Sequence, residues 1–461
     1  MWARQWAARP ESLVLVDGTD ATRVVDAATI DGQTAAVASV LAERGVSPGD
    51  RVLWCARATL PSVSALLGVL RCGAVLVPLS PSATASEIAH VVDDAAPVLA
   101  IVERSRQDTF GAGPTVGVEE LARAAARAGP AAGPAPRPGD DALIVYTSGT
   151  TGTPKGAVHT HASLLAGISS LLLAWEWGPE DRLVLSLPLF HVHGLCAGLF
   201  GTLTAGASAA VFDRFDESAV LNAVPTSTMF FGVPTMYHRL AASGLSPGLR
   251  ALRLCVSGSA PLAPDLWHRL AADGVAVLER YGMTETLLTL SNPLDGERRP
   301  GSVGLPLPGV EAVVEDADEH GIGELHVRGA SLCRGYWGRD AFAPGEWFAT
   351  GDLVSVADDG YVTVRGRRTE LIITGGHNVY PAEVEAVLSR HPGVVEVAVV
   401  GVPSAEWGET VVAYVVGDPD LASLRELAAT DLAPFKCPRE VRLIDALPRN
   451  ALGKVVRGEL R

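Results

Sequence analysis

The stretch from residue 146 to residue 156 has the residue types and the spacing needed to bind a phosphate group. It reads Tyr-Thr-Ser-Gly-Thr-Thr-Gly-Thr-Pro-Lys-Gly. Glycines let backbone N–H groups turn inward around an anion, and hydroxyl and ammonium groups add further donors. A flexible linker is the alternative, but linkers rarely combine this density of hydroxyls with a closing lysine. The spacing is not that of a Walker A loop. The predicted phosphate contacts come from Thr147, Ser148, Gly149, Thr150, Thr151 and Lys155.

A strand before this loop and a helix after it are the elements expected to position it. Residues 142–146 form an apolar run typical of a buried strand, and residues 159–177 have helical patterning. Beyond a Pro/Ala/Gly-rich linker near residues 129–140, strands and helices alternate to about residue 300. This alternation predicts a largely parallel sheet covered by helices. Residues 301–365 are richer in short strands, and a compact α+β module follows them.

Length and composition narrow the class of protein. A chain of 461 residues exceeds what one hydrophobic core usually supports, so at least two lobes are expected. The net charge of −15 disfavours non-specific binding to nucleic acid or to acidic membranes. The six cysteines lack the paired spacing of zinc or redox sites. Because no long apolar stretch or signal-peptide pattern is evident, a cytoplasmic protein is predicted.

Seven further segments follow the loop in an order that is typical of one superfamily. Together with the loop, they resemble the adenylate-forming enzymes, which include acyl-CoA synthetases, adenylation domains of peptide synthetases and firefly-type luciferases. A chance coincidence of seven ordered matches is negligible. The segments are residues 187–191, 256–261, 279–285, 350–352, 366–371, 375–381 and 448–454.

The resemblance implies a fold and a division into domains. The fold class is α/β, with a large N-terminal lobe of parallel-rich sheets covered by helices, a β-rich subdomain and a small mobile α+β C-terminal domain. The large domain is expected over residues 1–366 and the small one over residues 367–461. The hinge is expected near Thr369, where lysine or aspartate is more usual in the family.

The resemblance also implies that the protein activates a carboxylate with ATP and Mg²⁺. Two anions must meet in this reaction, so its difficulty is mainly electrostatic. Glu285 is the expected Mg²⁺ ligand, and Thr284 is expected to donate to the α-phosphate. Asp352 offers two acceptors to the ribose hydroxyls. The other nucleotide-binding residues implied by the resemblance are Gly258, Ser259, Ala260, Tyr281 and Arg367.

Two segments of the expected C-terminal domain complete the implied reaction. Lys454 matches the lysine that stabilises the transition state of adenylation, a role that suits a compact charge with rotatable donors. After a domain rotation, Gly375, Gly376 and His377 are expected to face coenzyme A, whose thiol attacks the acyl adenylate. His377 departs from the residues that are commoner in the family, and it is either part of the thioester channel or simply exposed.

Arg280 decides which acid is predicted. A guanidinium beside the acyl pocket is costly to bury alone, so it favours an acid with a second carboxylate. The surrounding segments resemble malonyl-CoA synthetases most closely, and this likeness implies that His191 and Ser259 assist Arg280 while Met283 shapes the pocket. Two alternatives stay open: His191 is a core or gate residue, or Arg280 is an ion-pair partner of Glu279.

The predicted function is an ATP-dependent acid:CoA ligase for malonate and methylmalonate, releasing AMP and pyrophosphate. The first alternative is a ligase for another short-chain or aryl acid. A catalytically silent homologue is disfavoured, because Glu285, Asp352, Arg367 and Lys454 are present together. The expected partners are the acid, ATP and coenzyme A, without nucleic acid or membrane, in a monomer or homodimer.

Overall fold

The computed structural model of the chain describes residues 2–110, 113–129, 135–147, 154–404, 406–449 and 455–460. Five predicted site residues lie outside the described residues. They are Ser148, Gly149, Thr150, Thr151 and Lys454.

Strands and helices alternate along most of the chain. In chain order the strands are β1 (Leu13–Asp17), β2 (Asp20–Asp26), β3 (Arg51–Cys55), β4 (Val75–Pro78), β5 (Leu99–Val102), β6 (Thr115–Gly117), β7 (Asp141–Thr147), β8 (Lys155–Thr160), β9 (Arg182–Leu185), β10 (Ser208–Val211), β11 (Met229–Gly232), β12 (Leu254–Ser257), β13 (Val277–Met283), β14 (Leu287–Ser291), β15 (Leu305–Pro306), β16 (Val310–Glu315), β17 (Ile322–Gly329), β18 (Gly335–Tyr336), β19 (Phe348–Val356), β20 (Val362–Arg367), β21 (Ile372–Thr374), β22 (His377–Val379), β23 (Val394–Ser404), β24 (Gly408–Gly417) and β25 (Glu440–Leu443). The α-helices are α1 (Trp2–Ala8), α2 (Ala27–Glu43), α3 (Leu60–Arg71), α4 (Ala85–Ala95), α5 (Val118–Ala125), α6 (His161–Ala174), α7 (Gly201–Ala205), α8 (Glu217–Ala223), α9 (Pro234–Ala242), α10 (Pro264–Ala272), α11 (Pro381–Leu388) and α12 (Leu421–Asp431).

The chain forms two compact units. The first contains Met1–Glu311 and Arg328–Glu346, and the second contains Ala312–Val327 and Trp347–Arg461. The predicted division at residue 366 and the predicted hinge near Thr369 stay predictions.

A nine-stranded sheet of the first unit carries most of the predicted acyl site. Its order is β15-β14-β13-β12-β11-β9-β10-β1-β2, and the strands from β13 to β1 run parallel to their neighbours. Its inner strands β9, β11 and β12 are short, apolar and almost wholly buried, as expected for strands covered on both faces. Ligands of open α/β sheets bind outside the carboxyl ends of parallel strands. The segments after β9, β11 and β12 lie at that edge.

A seven-stranded sheet of the first unit carries the predicted phosphate loop. Its order is β18-β8-β7-β4-β3-β5-β6. Strands β7 and β8 form an antiparallel hairpin in which Thr147 pairs with Lys155, so the loop connects the two strands of a hairpin. The predicted helix after the loop begins at His161, because Lys155–Thr160 is a strand and Thr160 caps α6 through a capping box with Ser163.

The second unit contains two smaller sheets. Strands β16, β17, β19 and β20 form one of them, with antiparallel pairing from β17 to β20. The other has the order β22-β21-β24-β23, and β25 pairs with β24. Helices α11 and α12 contribute Val384, Leu388 and Leu424 to its apolar core. The predicted α/β fold class, with parallel-rich sheets, a β-rich part and a small C-terminal α+β domain, is confirmed.

The six cysteines are free thiols, and four of them are buried. Within the described ranges, no helix combines the length and the apolar character required to span a membrane.

Candidate active site

Arg280 is a buried cation that has no counter-ion among the residues that the structure describes. It lies on β13, its residue is 6% exposed, and its Nε and Nη2 atoms have no hydrogen-bond partner among the described residues. Burial lowers the pKa of its guanidinium to about 9, so the group is still charged at neutral pH. Gly258, directly after β12, leaves room for it, because a Cβ atom there would lie 2.3 Å from the Arg280 Cζ. This charge is available for an anionic ligand.

Glu279 does not pair with Arg280, although the two residues are adjacent. Consecutive side chains of a strand point to opposite faces of the sheet. The Glu279 carboxylate accepts hydrogen bonds from the backbone N–H groups of Gly301, at 2.8 Å, and Leu262, at 3.4 Å. Burial raises its pKa to about 7. The interpretation of Arg280 as an ion-pair partner of Glu279 therefore has no support in the structure.

Ser259 and His193 lie beside Arg280. Ser259 follows β12 and adopts φ of 71°, a left-handed conformation that non-glycine residues adopt mainly where the surroundings impose it. Its Oγ is 3.3 Å from Nδ1 of His193, the first residue of the π-helical segment His193–Phe200. Burial, and after it the charge of Arg280, hold the pKa of His193 well below its usual value. His193 is therefore a neutral imidazole, and its Nε2 has no partner among the described residues.

His191, predicted to assist Arg280, is half-buried and packs its ring 4.6 Å from that of Phe190. The histidine that contacts Ser259 is His193. The role predicted for His191 stays a prediction, and His193 joins the candidate residues. The His-Val-His spacing was visible in the sequence, but the side chain that turns inward depends on where the π-helical segment begins.

Glu285 is buried at the end of the segment that follows β13. Its Oε1 accepts a hydrogen bond of 2.9 Å from the hydroxyl of Tyr336, and its backbone carbonyl accepts one of 2.7 Å from the N–H of Cys333. The carbonyl of Thr284 lies 2.7 Å from Nε2 of His159, a buried residue of β8. Tyr336 and His159 lie far from Glu285 in sequence, and no local pattern indicated their contacts.

Lys155 lies at the start of β8. Its Nζ stands 5.6 Å above the ring centroid of Tyr336, the residue whose hydroxyl contacts Glu285. The predicted phosphate-loop lysine and the predicted metal ligand therefore contact the same tyrosine. Thr147, the residue paired with Lys155, begins the loop on the other strand.

The residues around Glu285 fit a magnesium ion that is held mainly by a substrate. Within the part of the chain that the structure describes, no group of three or more His, Cys, Asp or Glu residues could hold a metal. Mg²⁺ usually binds one or two carboxylates and completes its octahedron with substrate phosphates and water. A buried glutamate with one oxygen engaged by a phenol matches that requirement.

Tyr281, Gly282 and Met283 form the outer end of β13. Tyr281 pairs with Leu290 and Met283 with Leu287 across to β14. A Cβ atom at position 282 would lie 2.0 Å from the carbonyl oxygen of Leu287, so only glycine fits there. Tyr281 and Met283 are half-buried, and their predicted roles in nucleotide and acid binding stay predictions.

Asp352 and Arg367 of the second unit pair with each other. They are cross-strand partners of β19 and β20, with 2.7 Å between Arg367 Nε and Asp352 Oδ1. Arg367 also donates to the carbonyl of Thr350 at 3.2 Å. Asp352 is 4% exposed, and the arginine fixes the direction of its carboxylate. Both residues had been predicted as ligands of the nucleotide, but their ion pair had not been predicted.

Gly375 and Gly376 form the two-residue turn of the hairpin between β21 and β22. Their φ angles of 56° and 82° suit a hairpin turn that glycine adopts without strain. His377 is exposed and stacks its ring on Phe435, with the centroids 4.4 Å apart. The predicted contact of these residues with coenzyme A stays a prediction.

Two family descriptions match the sequence. Residues 2–337 match the family described as AMP-binding enzyme, and residues 383–454 match the AMP-binding enzyme C-terminal domain.

Relatives of this chain include enzymes named for different acids. It is 35% identical over 477 residues to a malonate–CoA ligase of Arabidopsis thaliana, with 90% of this chain and 78% of the relative covered. It is also 35% identical to a feruloyl-CoA synthase of an Amycolatopsis species, with 94% and 93% covered. The crystal structure of ATP-bound MatB from Rhodopseudomonas palustris has 37% sequence identity to this chain and a TM-score of 0.94. The match covers 100% of this chain and 97% of the MatB chain.

Proposed function

This chain belongs to the family of AMP-binding enzymes and is an ATP-dependent, AMP-forming acid:CoA ligase, and we propose that it activates malonate or methylmalonate. The observation that carries the proposal is the buried guanidinium of Arg280, which has no carboxylate partner among the described residues. The likeness to a malonate–CoA ligase supports the same choice of acid.

An acid with a second carboxylate satisfies polar groups that have no partner among the described residues. A buried unpaired charge costs several kcal/mol, and a carboxylate can accept two parallel hydrogen bonds from a guanidinium. Ser259 and His193 add a hydroxyl group and a neutral imidazole beside Arg280. A monocarboxylic acid offers only the carboxylate that reacts, so it leaves Arg280 desolvated and unpaired.

The reacting carboxylate attacks the α-phosphorus of ATP, and pyrophosphate leaves. Bound Mg²⁺ neutralises charge on the phosphates during this step. We assign Glu285 to the metal and Thr284, Lys155 and the loop that Lys155 closes to the phosphates. Asp352 and Arg367 are assigned to the ribose, with the carboxylate direction fixed by their ion pair. The ammonium of Lys155, and the charge of the metal that Glu285 would hold, lower the electrostatic cost of bringing two anions together.

Lys454 and the Gly375–Gly376 turn are assigned to successive steps. The ammonium of Lys454 stabilises the charge that develops between carboxylate and phosphate during adenylation. Gly375, Gly376 and His377 then line the path by which the thiol of coenzyme A attacks the acyl adenylate. The carbonyl carbon forms a bond to sulfur, its bond to the phosphate oxygen breaks, and AMP leaves.

ATP–pyrophosphate exchange with a panel of acids tests the proposal. Malonate and methylmalonate are expected to support exchange well above acetate, hexanoate, benzoate and ferulate. Strong exchange with hexanoate and none with malonate would contradict the diacid assignment. It would leave acid:CoA ligation itself intact.

Replacing Arg280 with methionine tests directly whether its guanidinium binds the second carboxylate of the acid. Removing one partner of a buried charge pair typically costs 2–5 kcal/mol, so kcat/KM for malonate is expected to fall about 30-fold to several thousand-fold. A poor monoacid substrate is expected to lose far less. Arg182→Met is the matched control. Arg182 also has a buried Nε without a hydrogen-bond partner among the described residues, but it begins β9 and so lies at the amino ends of the parallel strands, opposite the candidate site. Equal losses on malonate and on a monoacid would contradict the proposal.

A ligase for an aryl acid is the second candidate. The feruloyl-CoA synthase and the malonate–CoA ligase have the same sequence identity to this chain, and the match covers more of the synthase than of the ligase. In that case Arg280 has a structural role. Ferulate and benzoate in the exchange panel distinguish the two candidates.

A further inference from the structure

We propose that Tyr336 is a positioning residue that orients the carboxylate of Glu285 for Mg²⁺. The proposal rests on the function proposed above, in which Glu285 is the protein ligand of the metal. It adds a residue whose hydroxyl acts through Glu285 and not on the substrate.

The segment around Tyr336 holds Glu285 at two points. The Tyr336 hydroxyl donates to Oε1 of Glu285 at 2.9 Å, and the Cys333 N–H donates to the Glu285 carbonyl at 2.7 Å. One contact fixes the backbone and the other fixes the rotation of the carboxylate. Because the phenol holds Oε1 of Glu285, the same hydrogen bond also fixes the direction of the other carboxylate oxygen.

Strand β8 positions this segment and the phosphate-loop lysine together. Gly335 and Tyr336 pair with Val158 and Ala157, and the Trp337 N–H donates to the carbonyl of Gly156 at 2.7 Å. Lys155 lies one residue before Gly156, with its ammonium 5.6 Å above the Tyr336 ring. The distance between the loop's closing cation and the metal-binding carboxylate is therefore set by one short piece of sheet.

A second contact from β8 supports the same arrangement from the other side. His159 is fully buried, and its Nε2 lies 2.7 Å from the carbonyl oxygen of Thr284. Burial lowers the pKa of His159 to about 4, so the ring is neutral and donates one N–H to that carbonyl. Thr284 is thus hydrogen-bonded to β8, and Glu285 is hydrogen-bonded to β18, the strand paired with β8.

The hydroxyl of Tyr336 and its ring make separate contacts. Residues that orient a metal ligand without touching the metal typically change metal affinity or activity by 10–100-fold when they are replaced. The ring itself contacts Phe342, with the centroids 5.9 Å apart. Tyr336→Phe therefore removes the hydroxyl and keeps the packing.

Direct metal binding by Tyr336→Phe is the main test. Mn²⁺ is titrated by electron paramagnetic resonance into enzyme saturated with a non-hydrolysable ATP analogue. The apparent Kd for the metal is expected to rise about tenfold or more, together with the Mg²⁺ concentration that half-saturates ATP–pyrophosphate exchange. Tyr380→Phe is the matched control, because it removes a 2.9 Å phenol–carboxylate bond to Asp318 in the second unit. Its metal dependence is expected to equal that of the wild type.

Two further measurements separate positioning from general damage and from failure of the proposed function. Thioester formation from preformed acyl adenylate and coenzyme A, without Mg²⁺, is expected to change less than about twofold in Tyr336→Phe. An unchanged metal Kd, or equal losses in both half-reactions, overturns the inference. Glu285→Gln tests the underlying assignment. If Glu285→Gln also leaves the metal Kd unchanged, the metal assignment fails; if only Tyr336→Phe is unchanged, this inference fails alone.

Discussion

Glu279 and Arg280 are adjacent residues of β13 with opposite charges and different surroundings. Burial shifts the pKa of both groups toward neutrality, to about 7 for Glu279 and to about 9 for Arg280. Glu279 receives two backbone donors, whereas Nε and Nη2 of Arg280 have no acceptor among the described residues. The carboxylate is therefore satisfied by the backbone, whereas the guanidinium is the group that the proposed function assigns to the acid.

The buried carboxyl of Glu279 is expected to make stability depend on pH near neutrality. Its folded-state pKa of about 7 exceeds the ordinary value of 4.5, so the native protein keeps a proton that the unfolded chain has lost. The free energy of unfolding therefore falls as pH rises from about 4.5 to about 7 and is level above. Glu279→Gln lacks this component. Between pH 5 and pH 8 its stability relative to wild type is expected to rise by about 2 kcal/mol.

Urea unfolding of both proteins at several pH values measures this difference. Glu11→Gln, at an exposed residue, serves as the control and is expected to show no such pH-dependent difference. A constant gap between Glu279→Gln and wild type at every pH would show that Glu279 is already ionised in the native state.

Single residues also mark the limit of what the sequence allowed. Arg280 is predicted to bind the acid because an arginine beside an acyl pocket is chemically unusual; the structure shows that it is buried, and its role stays a prediction. The partner of Ser259 could not be predicted in the same way. His191 and His193 are both plausible from composition, and only the start of the π-helical segment turns His193 inward.

At the scale of elements, the phosphate loop shows why strand and helix were partly confused. Residues 157–159 of β8 are buried without alternation, so they lack the period of two that identifies a half-exposed strand. The sequence therefore predicted a helix from residue 159, whereas α6 begins at His161.

The phosphate loop and its place after β7 were predictable because its glycine and hydroxyl residues form a recognisable local pattern. The pairing of β18 with β8, which places Tyr336, involves segments too distant for any local pattern.

The end of the C-terminal module depends on a half-buried ion pair. Arg457 donates to Glu385 at 2.6 Å and lies 3.5 Å from Glu370. Glu385 also accepts from the N–H of Val399 at 2.7 Å, so its carboxylate joins α11, β23 and the final turn. Burial raises the pKa of Glu385, and Arg457 opposes that rise. Arg457→Gln leaves this half-buried carboxylate without its cation, so the loss is expected to lie below the about 3–5 kcal/mol that breaking a fully buried pair costs.

Hydrogen exchange of the intact protein measures this loss where it occurs. Peptides covering α11 and β23 are expected to exchange markedly faster in Arg457→Gln. The control is Arg390→Gln, because Arg390 is exposed and its pair with Asp431 contributes about 0–1 kcal/mol at most. Unchanged protection in α11 and β23 would show that the Arg457 pair does not stabilise the module.

At the scale of the whole molecule, a chain of net charge −15 binds anionic substrates. The overall field opposes their approach, so binding must depend on cations placed locally. The proposed function assigns this role to Arg280 and Lys155 of the first unit. The order of the family's motifs was sufficient to predict the α/β class and the small C-terminal domain. It could not give the chemistry of the acid, which depends on how a few buried side chains are paired.

Lys454 is the residue through which the C-terminal domain is expected to take part in adenylation. An ammonium at the carboxylate–phosphate junction stabilises charge that exists only in the transition state, and loss of one such group typically costs about 10²–10³-fold in kcat. Lys454→Ala is therefore expected to abolish most malonate-dependent ATP–pyrophosphate exchange while leaving thioester formation from preformed acyl adenylate nearly unchanged. Lys436→Ala is the control in the same unit, since Lys436 pairs with Glu383 at 2.6 Å. Exchange that survives in Lys454→Ala would remove this lysine from the mechanism, and an equal loss of both half-reactions would indicate damage to the domain instead of a role in one step.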